Sequence, residues 1–263
     1  MAKAARYELY YWPEIQGRGE FVRLALEDAG ADYVDVAREK DGLRAMLRLL
    51  RGDGASPAPF APPFLRSGKR VIAQTAEILH YLGPRVSLVP ARKSARWAAL
   101  QHQLTIADLV QEVHDTHHPV GAMLYYEDQK REARRRAEQF LSARAPKFLG
   151  YFERELARGG KRQSWILGRS CSYVDLSLFQ VLEGIRYAFP NGARKLERKL
   201  PHLRALSERV RERPRIAAYL ASPRRIPFNE QGIFRHYPEL DAPESRERRL
   251  RSKKSPRSRK ASS

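Results

Sequence analysis

With 263 residues, 42% of them hydrophobic and 10% aromatic, the chain has enough apolar content to build a core, which excludes disorder throughout despite a formal net charge of +20. No uninterrupted apolar run approaches the roughly 20 residues needed to span a bilayer, and the opening MAKAARYELYY lacks the apolar centre of a signal peptide. A single cysteine, Cys171, excludes an internal disulfide, and together these readings point to a cytoplasmic protein.

Residues 6–12 alternate, with Tyr7, Leu9 and Tyr11 on one face and Glu8, Tyr10 and Trp12 on the other, as a strand does. From Gly19 the apolar positions Phe21, Val22, Leu24, Ala25 and Leu26 bunch at helical spacing, and Gly30 is placed to stop the helix. DYVDVA reads as a second strand, a charged helix comes next around residues 40–51, and GDGASPAPFAPP is a loop by composition. PPFLRSGKRVIAQ splits into two short apolar runs about SGK, the pattern of an antiparallel hairpin, and TAEILHYLG continues as a helix. This order predicts a mixed sheet covered by helices and ending near Leu82.

GPRVSLVPARKS is a linker, beyond which no strand is expected. Residues 94–118, 128–157, 172–188 and 200–221 carry apolar side chains at three and four spacing, with breaks at Pro119, Gly159, Pro190, Pro214 and Pro223. The aromatics of RRIPFNEQGIFRHYPEL are expected to pack back on the body. These boundaries give domain limits of 5–84 and 91–242, with a basic tail over 243–263. Ser245–Ser263 holds nine Lys or Arg against a single Glu and one leucine, so it cannot offset its ordering entropy and reads as a solvated arm. Such an arm suits nucleic acid, anionic lipid or an acidic protein partner.

Three local features bear on chemistry. Ser172 with Asp175 three residues later is an Asp variant of the capping box, whose loss costs about 1 kcal/mol and affects folding before activity. HDTHHP places His114, His117 and His118 late in a helix at a spacing compatible with two metal ligands, but no third-ligand pattern accompanies them and no metal is expected. Cys171, just before the capping box, reads as a small buried or half-buried residue.

Several of these strings together resemble the cytosolic glutathione transferases over roughly residues 5–222. YYWPEIQGRGE is similar to that family's stretch of tyrosine, aromatic, proline and Arg-Gly-Arg, with a turn one residue longer. PPFLRSGKRVIAQTAEI is similar to its cis-proline, hairpin and Gln-Ser step, and GRSCSYVD to its Gly-x-x-x-Ser-x-x-Asp element. The resemblance implies a thioredoxin-like α/β domain followed by an all-helical domain. It also implies a homodimer, glutathione as co-substrate and a small hydrophobic electrophile as acceptor. By the same resemblance Tyr11 is the catalytic tyrosine, and Pro63 is the cis-proline with Pro62 before it. Gln74 and Thr75 hold the γ-glutamyl carboxylate, Arg18 assists electrostatically, and Lys40 and Arg44 approach the glycyl carboxylate. Asp108 or a neighbour reaches across a dimer to the glutathione amine, and His114 or His118 lines the electrophile pocket.

The chemistry asks for such a phenol. A thiol has an ordinary pKa of about 8.5, and lowering it by ~2 units takes roughly 2.7 kcal/mol of selective stabilisation of the anion. One hydrogen bond to an ionised acceptor contributes ~1.5 to 3 kcal/mol, and a tyrosine with a pKa of ~10 stays protonated to donate it. Tyr11 stands at the carboxyl end of its strand, where open sheets place ligands. Tyr10 points the other way, and Tyr7 lies too deep. Gln74 and Thr75 begin a helix whose free N–H groups favour an anion. Pro62 departs from the family pattern because it has no N–H to give the cysteinyl backbone, a loss of ~1 kcal/mol. The rival reading is a non-catalytic binding module whose basic arm recruits nucleic acid or an acidic partner. Isomerisation or peroxide reduction would use the same thiolate.

Overall fold

The computed structural model describes residues 6–160 and 164–243. Apart from residue 243, the basic tail lies outside the described residues. The first half forms β1 (Tyr7–Tyr10), α1 (Gly19–Ala29), β2 (Tyr33–Asp35), α2 (Gly42–Leu50), β3 (Phe64–Ser67), β4 (Arg70–Ala73) and α3 (Thr75–Leu82). Strand order is β2-β1-β3-β4, with β1 parallel to β2 and antiparallel to β3. This is the expected mixed sheet. Gly30 ends α1 at φ 61°, the left-handed conformation that a residue without Cβ adopts at little cost. The second strand is shorter than DYVDVA suggests, because Val36–Arg38 turn into a 3-10 helix.

Period-two patterning sorts the sheet's side chains. Tyr7, Leu9 and Leu65 pack with Val22 and Leu26 of α1 and Ile78 and Leu82 of α3. Tyr10 and Phe64 face Met46 and Leu49 of α2, with the two rings stacked at 4.8 Å. The Tyr10 hydroxyl donates to Glu8 at 2.6 Å, so Tyr10 is packing, as alternation indicates.

The second half is helical: α4 (Lys93–Asp115), α5 (Lys130–Gln139), α6 (Ala145–Arg158), α7 (Tyr173–Ala188), α8 (Pro190–Glu197), α9 (Pro201–Arg211) and α10 (Pro214–Leu220). Two details differ from the periodicity reading. The run 128–157 is divided by a π turn at Phe140–Arg144, and Pro190, a break by its residue type, begins a further helix. Proline there occupies the first helical position, where its missing N–H would be unpaired anyway. The capping box forms as expected: Asp175 accepts from Ser172 N–H at 2.8 Å and from Ser172 Oγ at 2.6 Å, starting α7 in the middle of the core. Among the described residues no helix is long and apolar enough to cross a membrane.

The two halves join along α1, which is buried on nearly every side and meets α7 and α10 as well as α3. Its charged residues are therefore paired. Arg23 reaches Asp35 at 2.7 Å and Glu20 at 3.4 Å. Glu20 also receives the Tyr219 hydroxyl at 2.8 Å and pairs with Arg225, while Arg213 forks onto Asp28 at 2.5 and 2.8 Å. After α10 the chain crosses back over the β1–α1 turn. Gln16 Nε2 donates to the Ile226 carbonyl, Gln16 Oε1 accepts from Gln180 at 2.7 Å, and Asn229 donates to the Glu14 carbonyl at 2.9 Å. Phe228, Ile233, Phe234 and Tyr237 then pack on the helical core, as their aromatic content predicts.

Candidate functional site

One end of the sheet gathers most of the candidate residues. Tyr10 pairs with Phe64 and Phe64 with Ala73. The next residues out, Tyr11, Pro63 and Gln74, therefore stand side by side just beyond the ladder. The Pro62–Pro63 bond is cis.

Tyr11 is 4% exposed, and its position is set by the turn after it. The Arg18 N–H, free at the start of α1, donates to Tyr11 Oη at 2.8 Å. Gly17 and Gly19 make room on either side of Arg18. A Cβ added at Gly17, whose φ is +44°, would stand 2.0 Å from Tyr11 Oη, and one at Gly19 would stand 2.6 Å from the ring. Burial pushes the phenol above its ordinary pKa, and the Arg18 N–H and the Arg18 and Arg23 charges offset this only in part. The group is accordingly a neutral hydroxyl at physiological pH. Its oxygen accepts from the backbone, and among the described residues its own proton has no acceptor. Polarised in this way, it is a hydrogen-bond donor for an incoming anion.

Gln74 and Thr75 open α3. Gln74 is exposed and adopts φ 69°, ψ 122°, a conformation that L residues rarely take and that costs about 1–3 kcal/mol. No side chain caps α3, and its first accepted N–H bond is Ile78 to the Gln74 carbonyl. The N–H groups of residues 75–77 are thus available, with the helix dipole behind them. The Thr75 hydroxyl is buried and has no partner among the described residues. These observations describe an anion seat.

The Arg18 side chain turns toward α4, where Nη2 donates to Gln111 at 2.8 Å, and Gln111 donates in turn to Asp115 at 2.7 Å. His114 belongs to the same corner, with Nδ1 3.7 Å from Asp115. Burial, reinforced by the His118 and Arg18 charges, lowers its pKa to about 4, so the imidazole is neutral. His117 is buried with Nε2 2.8 Å from the Ile233 carbonyl, and burial lowers its pKa to about 3. The three imidazoles cluster with centroids 4.8 to 5.2 Å apart, His117 meeting each of the other two edge-on. No group of three or more His, Cys, Asp or Glu able to hold a metal occurs among the described residues.

Beside the turn is a cleft of about 350 Å³ lined by Trp12, Pro13, Glu14, Ile15, Leu43 and Gln231. Trp12 is its aromatic side, and Gln231 on the returning chain closes it. Gln231 also lines a neighbouring cleft of about 530 Å³ whose walls include His118, Tyr125, Tyr126 and Tyr237. Asp108 is exposed on α4, on the helical stripe that also carries Trp97 and Leu104. Lys40 and Arg44 are exposed near α2. Cys171 is buried with its thiol pushed well above its ordinary range by that burial, which leaves it inert.

Sequence reasoning overlooks Gly17 and Gly19 as the walls of the Tyr11 niche, although both lie in the GRG string. It also overlooks Gln111 and the polar anchors Gln16 and Glu20. Nothing local marks those as buried.

Comparison with known proteins agrees with this geometry. Residues 114–223 match the model of the glutathione S-transferase C-terminal domain family. The chain is 28% identical to glutathione S-transferase 2 of Onchocerca volvulus over 232 residues, covering 86% of this chain and 98% of that protein. It is 27% identical to glutathione S-transferase P of Bos taurus with the same coverage. The fold superposes on a nematode-specific glutathione S-transferase of C. elegans with a TM-score of 0.62 and 20% identity, over 86% of this chain and 100% of that one. From the sheet edge and the helical half alike, the likeness is to the glutathione S-transferases.

Proposed function

We propose that the protein is a glutathione S-transferase in which the Tyr11 hydroxyl stabilises the thiolate of bound glutathione for attack on a small hydrophobic electrophile. The observation that carries this reading is the bond from Arg18 N–H to Tyr11 Oη, which leaves the phenolic proton for a ligand sulfur. In this reading the γ-glutamyl carboxylate binds at the start of α3, on the N–H groups there and the Thr75 hydroxyl, with Gln74 beside it. The cysteinyl backbone passes Pro62 and Pro63, where it forgoes one N–H donor. Arg18 and the neutral His114 flank the sulfur, and the electrophile enters beside Trp12. The nucleophile is the sulfur. Its proton leaves to solvent, a carbon–sulfur bond forms, and the acceptor's leaving group departs or its double bond takes up a proton.

The test is conjugation of glutathione to a chromogenic aryl halide, with Tyr11→Phe as the variant. Loss of one donor to the developing thiolate lowers kcat/KM by about 10- to 100-fold, and the ultraviolet thiolate band of the binary complex titrates at higher pH. A Tyr11→Phe enzyme as active as the parent refutes the role.

A homodimer is part of the same reading. It is supported by Phe60, 94% exposed, and by the α4 stripe of Trp97 at 65%, Leu104 at 52% and Asp108, which together form an unpartnered apolar face with an acidic residue on it. Sedimentation equilibrium at micromolar concentration decides it, a monomer being the contrary result.

A further inference from the structure

The cleft that the transferase reading above gives to the electrophile carries a charge opposite to that of the chain around it. Lys and Arg outnumber Asp and Glu by 50 to 30, yet the charged side chain on the walls of this cleft, among the described residues, is Glu14 alone. Glu14 is exposed, and among the described residues its carboxylate meets no cation and accepts no hydrogen bond. The adjoining cleft, which shares Gln231, holds Glu127 and Glu230 against Arg235. His118 in its wall adds no positive charge at physiological pH, because burial lowers its pKa. Three carboxylates thus line the two clefts against one guanidinium, in a chain whose net charge is +20.

Two further observations concern what stands beside Glu14. The turn that carries it is fastened through its backbone: Asn229 donates to the Glu14 carbonyl at 2.9 Å, and Arg23 donates to the Ile15 and Gln16 carbonyls, each at 3.3 Å. The carboxylate is therefore held at the rim of the cleft. Trp12 and Leu43 line the same space and are 40% and 41% exposed, so a large apolar surface is left open there. An indole face attracts positive charge through its quadrupole, and a carboxylate next to it adds a Coulombic attraction. That pairing suits a cationic aromatic group.

We propose that the preferred electrophile is a flat aromatic compound bearing a permanent positive charge, its ring between Trp12 and Leu43 and its cationic group at Glu14, so that Glu14 selects acceptors by charge. The cleft of about 350 Å³ lies near the lower end of ligand cavities, about 300 to 1,000 Å³, and holds a small ring system. With an aryl chloride the step balances. The glutathione sulfur bonds to the ring carbon, the carbon–chlorine bond breaks with its electron pair leaving as chloride, and the thiol proton passes to solvent. The cationic substituent is a spectator.

The experiment compares three acceptors of one shape: (4-chloro-3-nitrophenyl)trimethylammonium, 4-chloro-3-nitrobenzamide and 4-chloro-3-nitrobenzoate. Each kcat/KM is divided by the uncatalysed rate constant with glutathione, which removes the electronic effect of the substituent. The parent should favour the cation over the anion about tenfold, with the amide between them, since one charge pair at a solvated rim gives up to about fivefold and reversing its sign acts again. Glu14→Gln should bring that ratio to within about twofold of unity, and Glu14→Lys should reverse it, both through KM. Trp12→Leu should lower the advantage of the cation over the amide about threefold. Equal handling of cation and anion by the parent, or a parental ratio in Glu14→Gln, overturns the proposal; if the amide is still conjugated, the transferase reading survives that result. Should no acceptor be turned over, the amide included, the transferase reading fails, and equilibrium dialysis of N-methylquinolinium against quinoline decides this one separately. Tighter binding of the cation by the parent but not by Glu14→Gln supports it, and equal binding of the two overturns it.

Discussion

Replacing Glu20 by alanine tests how the two halves hold each other. Glu20 is fully buried in the first turn of α1, and its carboxylate serves Arg23, Arg225 and the Tyr219 hydroxyl. Removing it leaves Arg23, whose side chain is 1% exposed, with Asp35 as its remaining carboxylate partner, and leaves Arg225, 10% exposed, with only Gln180 as a side-chain acceptor. Breaking a buried pair by deleting one partner costs about 3–5 kcal/mol, because the surviving charge cannot regain water. At about 2–4 °C per kcal/mol for a chain of this size, the unfolding temperature should fall by about 6–20 °C. Glu20→Gln retains an acceptor for Tyr219 and should lose about half as much. Urea unfolding monitored by fluorescence and by circular dichroism reads the free energy. A Glu20→Ala variant within about 1 kcal/mol of the parent would refute the view that this carboxylate pins the interface.

Gly19→Ala should push the Tyr11 ring off its seat, because the new Cβ falls 2.6 Å from it. A displacement near 1 Å costs about 100-fold in kcat/KM, and steady-state assay at unchanged unfolding temperature checks this. Pro62→Ala restores an N–H at the ligand edge and should lower the KM for glutathione about fivefold at constant kcat; an unchanged KM would show that the N–H has no ligand partner. A pH dependence arises from His117. Its folded pKa, lowered to about 3, lies below the ordinary ~6.5, so the unfolded chain takes up the proton first. Stability from this group is present above pH ~6.5 and is lost as pH falls toward 3, amounting to about 2 kcal/mol by pH 5. Unfolding free energies at pH 7.5 and 5 should therefore fall more for the parent than for His117→Gln, and equal falls would refute the assignment.

Sheet and hairpin are legible in the sequence because their signals are local: alternation through Tyr7–Tyr11, the SGK turn, and Gly30 after an apolar helix face. The capping box at Ser172 is equally local. The α8 helix escapes that reading because proline both ends helices and begins them, and only the packing of the residues after Pro190 distinguishes the two. The niche of Tyr11 is half legible. Its tyrosine stands in a resembling motif, but the clearance supplied by Gly17 and Gly19 is a property of three dimensions. Glu20, Arg23 and Gln16 are opaque, since polar residues in and before a helix read as its wet face until Gln180, Tyr219 and Arg225, 164 to 205 positions later, arrive to cover them.

That late cover has a consequence for how the molecule matures. The turn carrying Arg18 is held by Ile226, 210 positions downstream of Gln16, and by Asn229. During translation the whole sheet leaves the ribosome first, yet the loop that seats the phenol stays unfastened until the final tenth of the described chain emerges. A product interrupted after α10 would carry every residue of the sheet edge and still leave its first turn slack, so synthesis itself withholds a fastened Tyr11 niche from incomplete copies.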